Sequence, residues 1–176
     1  MPEIDPRYPI GKFDSKAPVD PADRPMLIQQ IAEAPGHLRA AVKGLNDEQL
    51  NTPYRPEGWT VRQVAHHLPD SHMNAYIRWK LALTETQPPI KPYAENLWAE
   101  LTDAKTLAVE PSLQLMDSLH SRWVAFLKSL KPEDFDRTFV HPEHGVRMIG
   151  SLLPLYAWHG RHHVAQITEL RKRMGW

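Results

Sequence analysis

The chain has 176 residues, no cysteine, 21 basic and 21 acidic residues, and an isoelectric point near 7.2. This length suits one domain over residues 1–176, and the absence of cysteine excludes both disulfide bridges and zinc held by thiolates. The balanced charge argues against nucleic-acid binding, and no apolar stretch approaches the roughly 18 residues of a membrane span. Residues 1–13 lack the apolar core of a signal peptide, so we expect a cytoplasmic protein.

The first part of the chain predicts an arm followed by a helix. Residues 1–20 are rich in proline and charge without helical periodicity, which indicates an extended arm laid over the domain. Asp20 has the form of an N-cap, and the helix that it begins should run to about Lys43. Pro35-Gly36 is expected to kink or break this helix midway. Residues 46–49 form a capping box, which predicts a short turn of helix before a loop at 52–59.

The remainder of the chain is mainly helical by the same criteria. The pattern predicts long helices over 60–84 (kinked at Pro69), from Pro111 to Leu130 and over 151–174, with a weaker helix at 94–108 and a β-hairpin at 137–149. We expect Ser151 to cap the last helix and a second capping box to open the helix at residue 60. Four long helices joined by mostly short loops indicate an all-α four-helix bundle.

Two histidines in the last predicted helix suggest a metal site. His159 and His163 are four residues apart, so their side chains lie one above the other on one face of the helix. That face is the apolar stripe, where two unpaired imidazoles would cost about 1–3 kcal/mol each. A metal ion held by both would remove this cost, and a third histidine from a distant segment would complete a site with open positions.

The third ligand has two candidates in the helix over 60–84. His67 lies at one edge of the apolar stripe, whereas His72 lies within it. We favour His67 because it borders a polar strip that contains Asp70, which could orient a ligand or a metal-bound water. The other histidines receive no role: His66 is expected to turn toward solvent, His162 lies on the shoulder of its stripe, and surface or loop positions are expected for His37, His120, His141 and His144.

Two segments with these histidines resemble a known family. Residues 58–74 (Gly-Trp-Thr-Val-Arg-Gln-Val-Ala-His-His-Leu, then Asp-Ser-His-Met-Asn) and 155–167, with Trp158-His159 and His162-His163, are similar to the YfiT branch of the DinB superfamily. The likeness extends to residues 8–11, 50–55 and 173–176. It implies a four-helix bundle, usually dimeric, with an extended arm, a short hairpin and one divalent zinc or nickel ion per chain on His67, His159 and His163.

The resemblance implies a metal-dependent hydrolase that acts on a small molecule. In this leading hypothesis the metal activates water, and Asp70, because it lies beside His67, is a candidate base or orienting residue. Related members of the superfamily transfer low-molecular-weight thiols such as bacillithiol, so a thiol S-transferase is a second hypothesis. A third is a non-catalytic bundle whose metal or histidines only stabilise the fold. No His-Glu-x-x-His pattern is present, which disfavours a zincin protease.

Overall fold

Four long helices dominate the computed structural model, which describes residues 5–176; the first four residues of the expected arm lie outside it. In chain order the helices are α1 Arg24–Val42, α2 Asp47–Leu50, α3 Val61–Thr84, α4 Glu95–Ala99, α5 Thr102–Thr106, α6 Glu110–Lys128 and α7 Leu152–Met174. Helices α1 and α3 each pack against both α6 and α7. The predicted all-α four-helix bundle is therefore confirmed.

Side-chain caps fix where several helices begin. Thr60 accepts a hydrogen bond from the backbone of Gln63, whose side chain accepts one from the Thr60 backbone, so the predicted capping box opens α3. Asn46 and Gln49 form the same arrangement at α2. The expected cap at Ser151 is wrong, because a 3-10 turn over Ile149–Ser151 precedes α7 and the Ser151 hydroxyl donates to a carbonyl behind it.

Proline has a different effect in α1 from the one expected. The helix runs without interruption from Arg24 to Val42, so Pro35-Gly36 does not break it; of the expected kink or break, the break is wrong. A proline at position 35 cannot donate the backbone hydrogen bond that the Ile31 carbonyl would normally accept. The helix tolerates this loss because the His120 ring donates a hydrogen bond to that carbonyl instead. The predicted weaker helix at 94–108 is two short helices, α4 and α5.

Two apolar clusters fill the bundle, with histidines between them. One cluster contains Trp79, Trp123 and Leu153, and the other contains Leu38, Leu68 and Ile167. Between the two clusters lie His72 in α3, His120 in α6, and His159 and His163 in α7, and the ring of His67 in α3 contacts those of His159 and His163. We call these five residues the histidine layer.

The hairpin and the arm lie next to this layer. Strand β1 (Thr138–His141) pairs antiparallel with β2 (Gly145–Met148), and Gly145 adopts the left-handed conformation at the turn, with φ of 68°. In the described part of the arm, the Arg7 carbonyl accepts a hydrogen bond from Gln166 at 3.3 Å. The described part of the arm therefore contacts the domain, as the sequence predicts, and it does so at α7. No helix in residues 5–176 combines the length and apolar character needed to cross a membrane.

Candidate metal centre

The structure brings His67, His159 and His163 together. Each offers one ring nitrogen, and the three nitrogens lie within 4.8 Å of one another. The Nε2 atoms of His67 and His159 are 3.3 Å apart. The pair on α7 meets His67 because four residues correspond to about one helical turn, and α3 packs against this face of α7.

These distances suit a divalent transition metal. Imidazole nitrogens bind zinc at about 2.0–2.1 Å, and two such bonds at a tetrahedral angle place the nitrogens about 3.3–3.4 Å apart. The observed 3.3 Å between His67 and His159 has this value. The cluster contains no fourth protein ligand among the described residues, so a metal ion bound here would keep an open coordination position.

Burial keeps the three imidazoles neutral. It lowers the pKa of His67 to about 4. It also places the pKa values of His159 and His163 well below the ordinary value, and the neighbouring imidazoles lower them further. The neutral ring carries the lone pair that a metal ion needs, so the site is ready to bind metal at neutral pH.

Gln166 orients one of the three candidate ligands. Its side-chain oxygen lies 2.8 Å from Nδ1 of His163, and its amide nitrogen lies 3.1 Å from Nε2 of His162. In this arrangement Nδ1–H of His163 donates to Gln166, which leaves Nε2 of His163 with a lone pair. His162 is also buried, but Gln166 occupies its Nε2 atom and His162 is not part of the three-histidine cluster.

The three histidines line a cavity of about 790 Å³, a size that accommodates a small molecule. The arm contributes Tyr8, and the loop before α3 contributes Trp59, whose ring centroid is 4.7 Å from that of His67. The hairpin supplies His141, Glu143 and His144. These two hairpin histidines occupy the surface positions that the sequence predicts.

Asp70 lies outside the residues that line this cavity. Burial, followed by the nearby carboxylate of Asp103, raises the pKa of Asp70 to about 6. Asp103 belongs to α5, so Asp70 lies on the part of α3 that is close to α5. The proposed role of Asp70 as a base therefore stays a prediction without support from the cavity.

His66 is buried, so the expectation that it turns toward solvent is wrong. Its Nδ1 lies 2.7 Å from the Ser112 hydroxyl and its Nε2 lies 3.1 Å from the Leu107 carbonyl. Both ring nitrogens are thus occupied by the segment before α6 and by α6 itself. His66 holds α3 against these elements and does not reach the cavity.

Two histidines that the sequence analysis set aside stand behind His159. His72 Nε2 is 3.1 Å from His159 Nδ1, and His72 Nδ1 is 2.8 Å from His120 Nε2. His120 Nδ1 in turn is 2.7 Å from the Ile31 carbonyl oxygen. The expected surface position of His120 is wrong, because its side chain is buried inside the bundle.

A signal for His120 was present in the sequence. The buried positions of α6 are Leu113, Met116, His120, Trp123 and Leu127, which follow the spacing of a single helix face. Leu115, an apolar residue one position before this face, is 41% exposed. A helix face chosen by spacing, with histidine allowed among apolar residues, would have included His120.

The comparisons with known proteins agree with this geometry. The sequence model of the DinB superfamily matches residues 30–167. A protein of Bacillus cereus strain B4264, named as a proposed metal-dependent hydrolase, is 56% identical over 170 residues, which cover 97% of this chain and 98% of the relative. A Bacillus anthracis protein with the same name is 55% identical with the same coverage.

Solved structures with the same four-helix bundle also match this chain. YfiT from Bacillus subtilis, described as a proposed metal-dependent hydrolase with an unusual four-helix bundle topology, superposes with a TM-score of 0.93. It is 48% identical, and the match covers 97% of this chain and 98% of YfiT. The four-helix bundle protein TT2238 shares the fold alone, with a TM-score of 0.59 and 18% identity over 83% of this chain and 98% of its own. The chain belongs to the YfiT branch of the DinB superfamily.

Proposed function

We propose that this protein is a metal-dependent hydrolase in which His67, His159 and His163 hold one divalent ion per chain. The observation that carries the proposal is the convergence of three neutral ring nitrogens within 4.8 Å on the wall of a cavity. Structural zinc sites have four protein ligands, whereas catalytic sites have three and leave a position for water or substrate. The three-ligand cluster therefore favours catalysis over a purely structural metal. The names of the relatives support this direction.

Zinc and nickel are the metals that we propose, since imidazole nitrogen suits both. When bound, such an ion lowers the pKa of a coordinated water or thiol and polarises a carbonyl oxygen. The protein contributes the orientation of the ligands and the shape of the cavity. Gln166 holds the ring of His163, and Trp59 packs beside His67.

Metal analysis and a substrate panel test the proposal. We expect elemental analysis of protein purified from metal-supplemented medium to find about one zinc or nickel ion per chain. The zinc- and nickel-loaded forms are then assayed on small esters, amides and lactones, with His163→Ala as the ligand variant and the exposed His37→Ala as the matched control. A folded protein without metal, or equal turnover by both variants, would contradict the proposal.

A thiol S-transferase remains the second candidate. The chain has no cysteine, so a thiol nucleophile must come from a cosubstrate, and a cavity of about 790 Å³ has room for two small molecules. The assay mixes metal-loaded protein with a chlorobimane electrophile and bacillithiol, mycothiol or glutathione in turn. A rate that depends on both metal and thiol identity supports the transferase, and a rate indifferent to both rejects it.

Three further expectations stay predictions: a homodimer, a cytoplasmic location and one domain over residues 1–176. Light scattering after size-exclusion chromatography measures the mass in solution and decides between monomer and dimer. A single cooperative unfolding transition is the result expected for one domain.

A further inference from the structure

A hydrogen-bonded chain of side chains crosses all four long helices and ends at the candidate metal centre. It begins at the Ile31 carbonyl in α1, continues through His120 in α6 and His72 in α3, and reaches His159 in α7. The three distances are 2.7, 2.8 and 3.1 Å. We call this arrangement the histidine chain.

Pro35 explains why the Ile31 carbonyl is available. In a regular α-helix the carbonyl of residue 31 accepts a hydrogen bond from the backbone N–H of residue 35. Proline has no N–H, so this carbonyl would be left without its helical partner inside the bundle. The His120 ring supplies the missing donor at 2.7 Å. Pro35, which was expected to kink or break α1, therefore creates the acceptor at which the histidine chain starts.

The carbonyl fixes the direction of every hydrogen bond in the chain. A carbonyl oxygen only accepts, so Nδ1 of His120 must carry the proton, and Nε2 of a neutral His120 ring must accept. Nδ1 of His72 then donates to His120, and Nε2 of His72 accepts from Nδ1 of His159. The last ring is left with its lone pair on Nε2, the atom that lies 3.3 Å from Nε2 of His67.

We propose that His120 and His72 are positioning residues that hold His159 as the Nδ1–H tautomer and aim its Nε2 lone pair at the metal. This inference deepens the proposed function, because it rests on His159 being a metal ligand. Metal-binding histidines commonly donate their other ring N–H to an oxygen, which fixes the tautomer and increases the basicity of the ligand. Here that acceptor is a second imidazole, itself fixed by a third. The chain ends at a carbonyl that cannot release a proton, so it orients His159 and conducts no proton.

Packing holds the middle of the histidine chain in one place. His72 is fully buried, and its ring meets those of Trp123 and Tyr156 edge-on, both at 89°. Gly160 lets α7 approach α1 closely, because a Cβ atom at position 160 would lie only 3.0 Å from Cβ of Ala34. The rings therefore have little room to turn over and reverse the hydrogen bonds.

Nitrogen NMR of the metal-free protein tests the tautomers directly. The protein is labelled with ¹⁵N-histidine and treated with a chelator. Its ring signals are assigned from variants in which one histidine at a time is replaced. We expect His72, His120 and His159 all to be protonated on Nδ1, although free imidazole side chains in water favour Nε2–H. An Nε2–H signal from His72 or His159 overturns the inference. This reading needs no bound metal, so it is independent of whether the proposed function holds.

Substitutions at His72 test the effect on metal binding. His72→Phe keeps a ring but removes the acceptor, and we expect it to weaken zinc binding by about 10–100-fold in competition with a chromophoric chelator. His72→Gln places an amide oxygen near the position of Nε2 and should recover most of that loss. A purely structural role would not give this order, so equal binding by both variants contradicts the inference.

A substitution at a residue outside the histidine chain provides the second test. Pro35→Ala restores a backbone N–H that competes with His120 for the Ile31 carbonyl, and we expect zinc binding to weaken by about 10-fold in a folded protein. Gly36→Ala is the matched control, because it also raises helix propensity, and its added Cβ would meet no atom within 4 Å. Equal zinc affinity in the two variants would overturn the role assigned to Pro35 and His120.

Discussion

The side-chain oxygen of Gln166 lies 2.8 Å from Nδ1 of His163 and leaves Nε2 as the only free nitrogen of that ring. Gln166→Ala removes this acceptor, so we expect metal binding to weaken by about 10–100-fold. Gln166→Glu keeps an oxygen at the same reach and should bind within a few-fold of the parent protein. A chelator competition titration measures both. Unchanged affinity in Gln166→Ala would show that packing alone orients His163.

Neighbouring histidines should separate into ligands and supporting residues. We expect alanine at His67, His159 or His163 to abolish tight metal binding, because each supplies one of the three clustered nitrogens. Alanine at His66 or His162 should retain the metal. Elemental analysis after dialysis measures the metal content of each variant.

The His66 variant should nevertheless lose stability, which separates the two effects. Its two hydrogen bonds, to the Ser112 hydroxyl and the Leu107 carbonyl, are lost, and so is the packing of a buried ring. We expect a lower melting temperature with a full complement of metal. If His66→Ala lost the metal and His67→Ala retained it, the assignment of His67 as the ligand from α3 would be wrong.

The metal-free protein should lose stability as the pH falls from about 6.5 to 4. Burial lowers the pKa of His67 and of His120 to about 4, so the folded chain stays neutral at these sites while the unfolded chain takes up protons. Protonation therefore favours unfolding in this window, by about 3 kcal/mol for each histidine by pH 4. Above pH 7 these two histidines are neutral in both the folded and the unfolded chain, so their contribution to the free energy of unfolding is constant.

Urea denaturation of chelator-treated protein at a series of pH values measures this dependence. His120→Phe removes one of the groups and should give a shallower loss of stability on acidification. A free energy of unfolding that stays level from pH 7 to pH 4.5 would contradict the prediction.

Asp70→Asn should stabilise the protein without changing the metal content. Burial and the nearby Asp103 raise the pKa of Asp70 to about 6, so the ionised carboxylate destabilises the folded state above that pH. We expect the melting temperature at pH 8 to rise by about 2–4 °C and the gain to shrink below pH 6. A loss of activity of about 10²–10⁴-fold with metal retained would instead support Asp70 as the base.

Arg78 should bind an anionic group of the substrate. It lines the cavity on α3, about 16 Å along the helix axis from His67, and makes no ion pair or hydrogen bond with the residues that the structure describes. For substrates with a remote carboxylate, we expect Arg78→Gln to raise KM about 10-fold or more while kcat changes little. Neutral analogues of the same length are the control, and an equal change in KM for both would rule out a charge contact.

The sequence predicts local features of this protein well. The capping boxes at Asn46 and Thr60 follow from contacts three residues apart, and the pairing of His159 with His163 follows from one helical turn. Such features depend only on near neighbours along the chain. The four-helix bundle follows from the same periodicity together with the family resemblance.

Several features that depend on contacts between helices were not predicted, although the meeting of His67 with His159 and His163 was. Pro35 was interpreted as a kink or a break because its effect depends on His120, 85 positions later, whose ring replaces the missing hydrogen-bond donor. His66 was assigned to solvent because its partners, Ser112 and Leu107, belong to other segments, and the periodicity of α3 gives no information about them. Asp70 shares a helix with His67, but only the packing of α5 shows that it lies outside the cavity.

The histidine layer has a consequence for the order of assembly. Its hydrogen bonds join residues from Ile31 to His159, so no subset of three long helices contains all the partners. A partly folded chain would bury some of these polar groups in an apolar core without their hydrogen-bond partners. A helix shifted by one turn would likewise leave several of them unpaired. The layer thus penalises misaligned bundles, and the ability to capture metal appears only after the last long helix has docked in register.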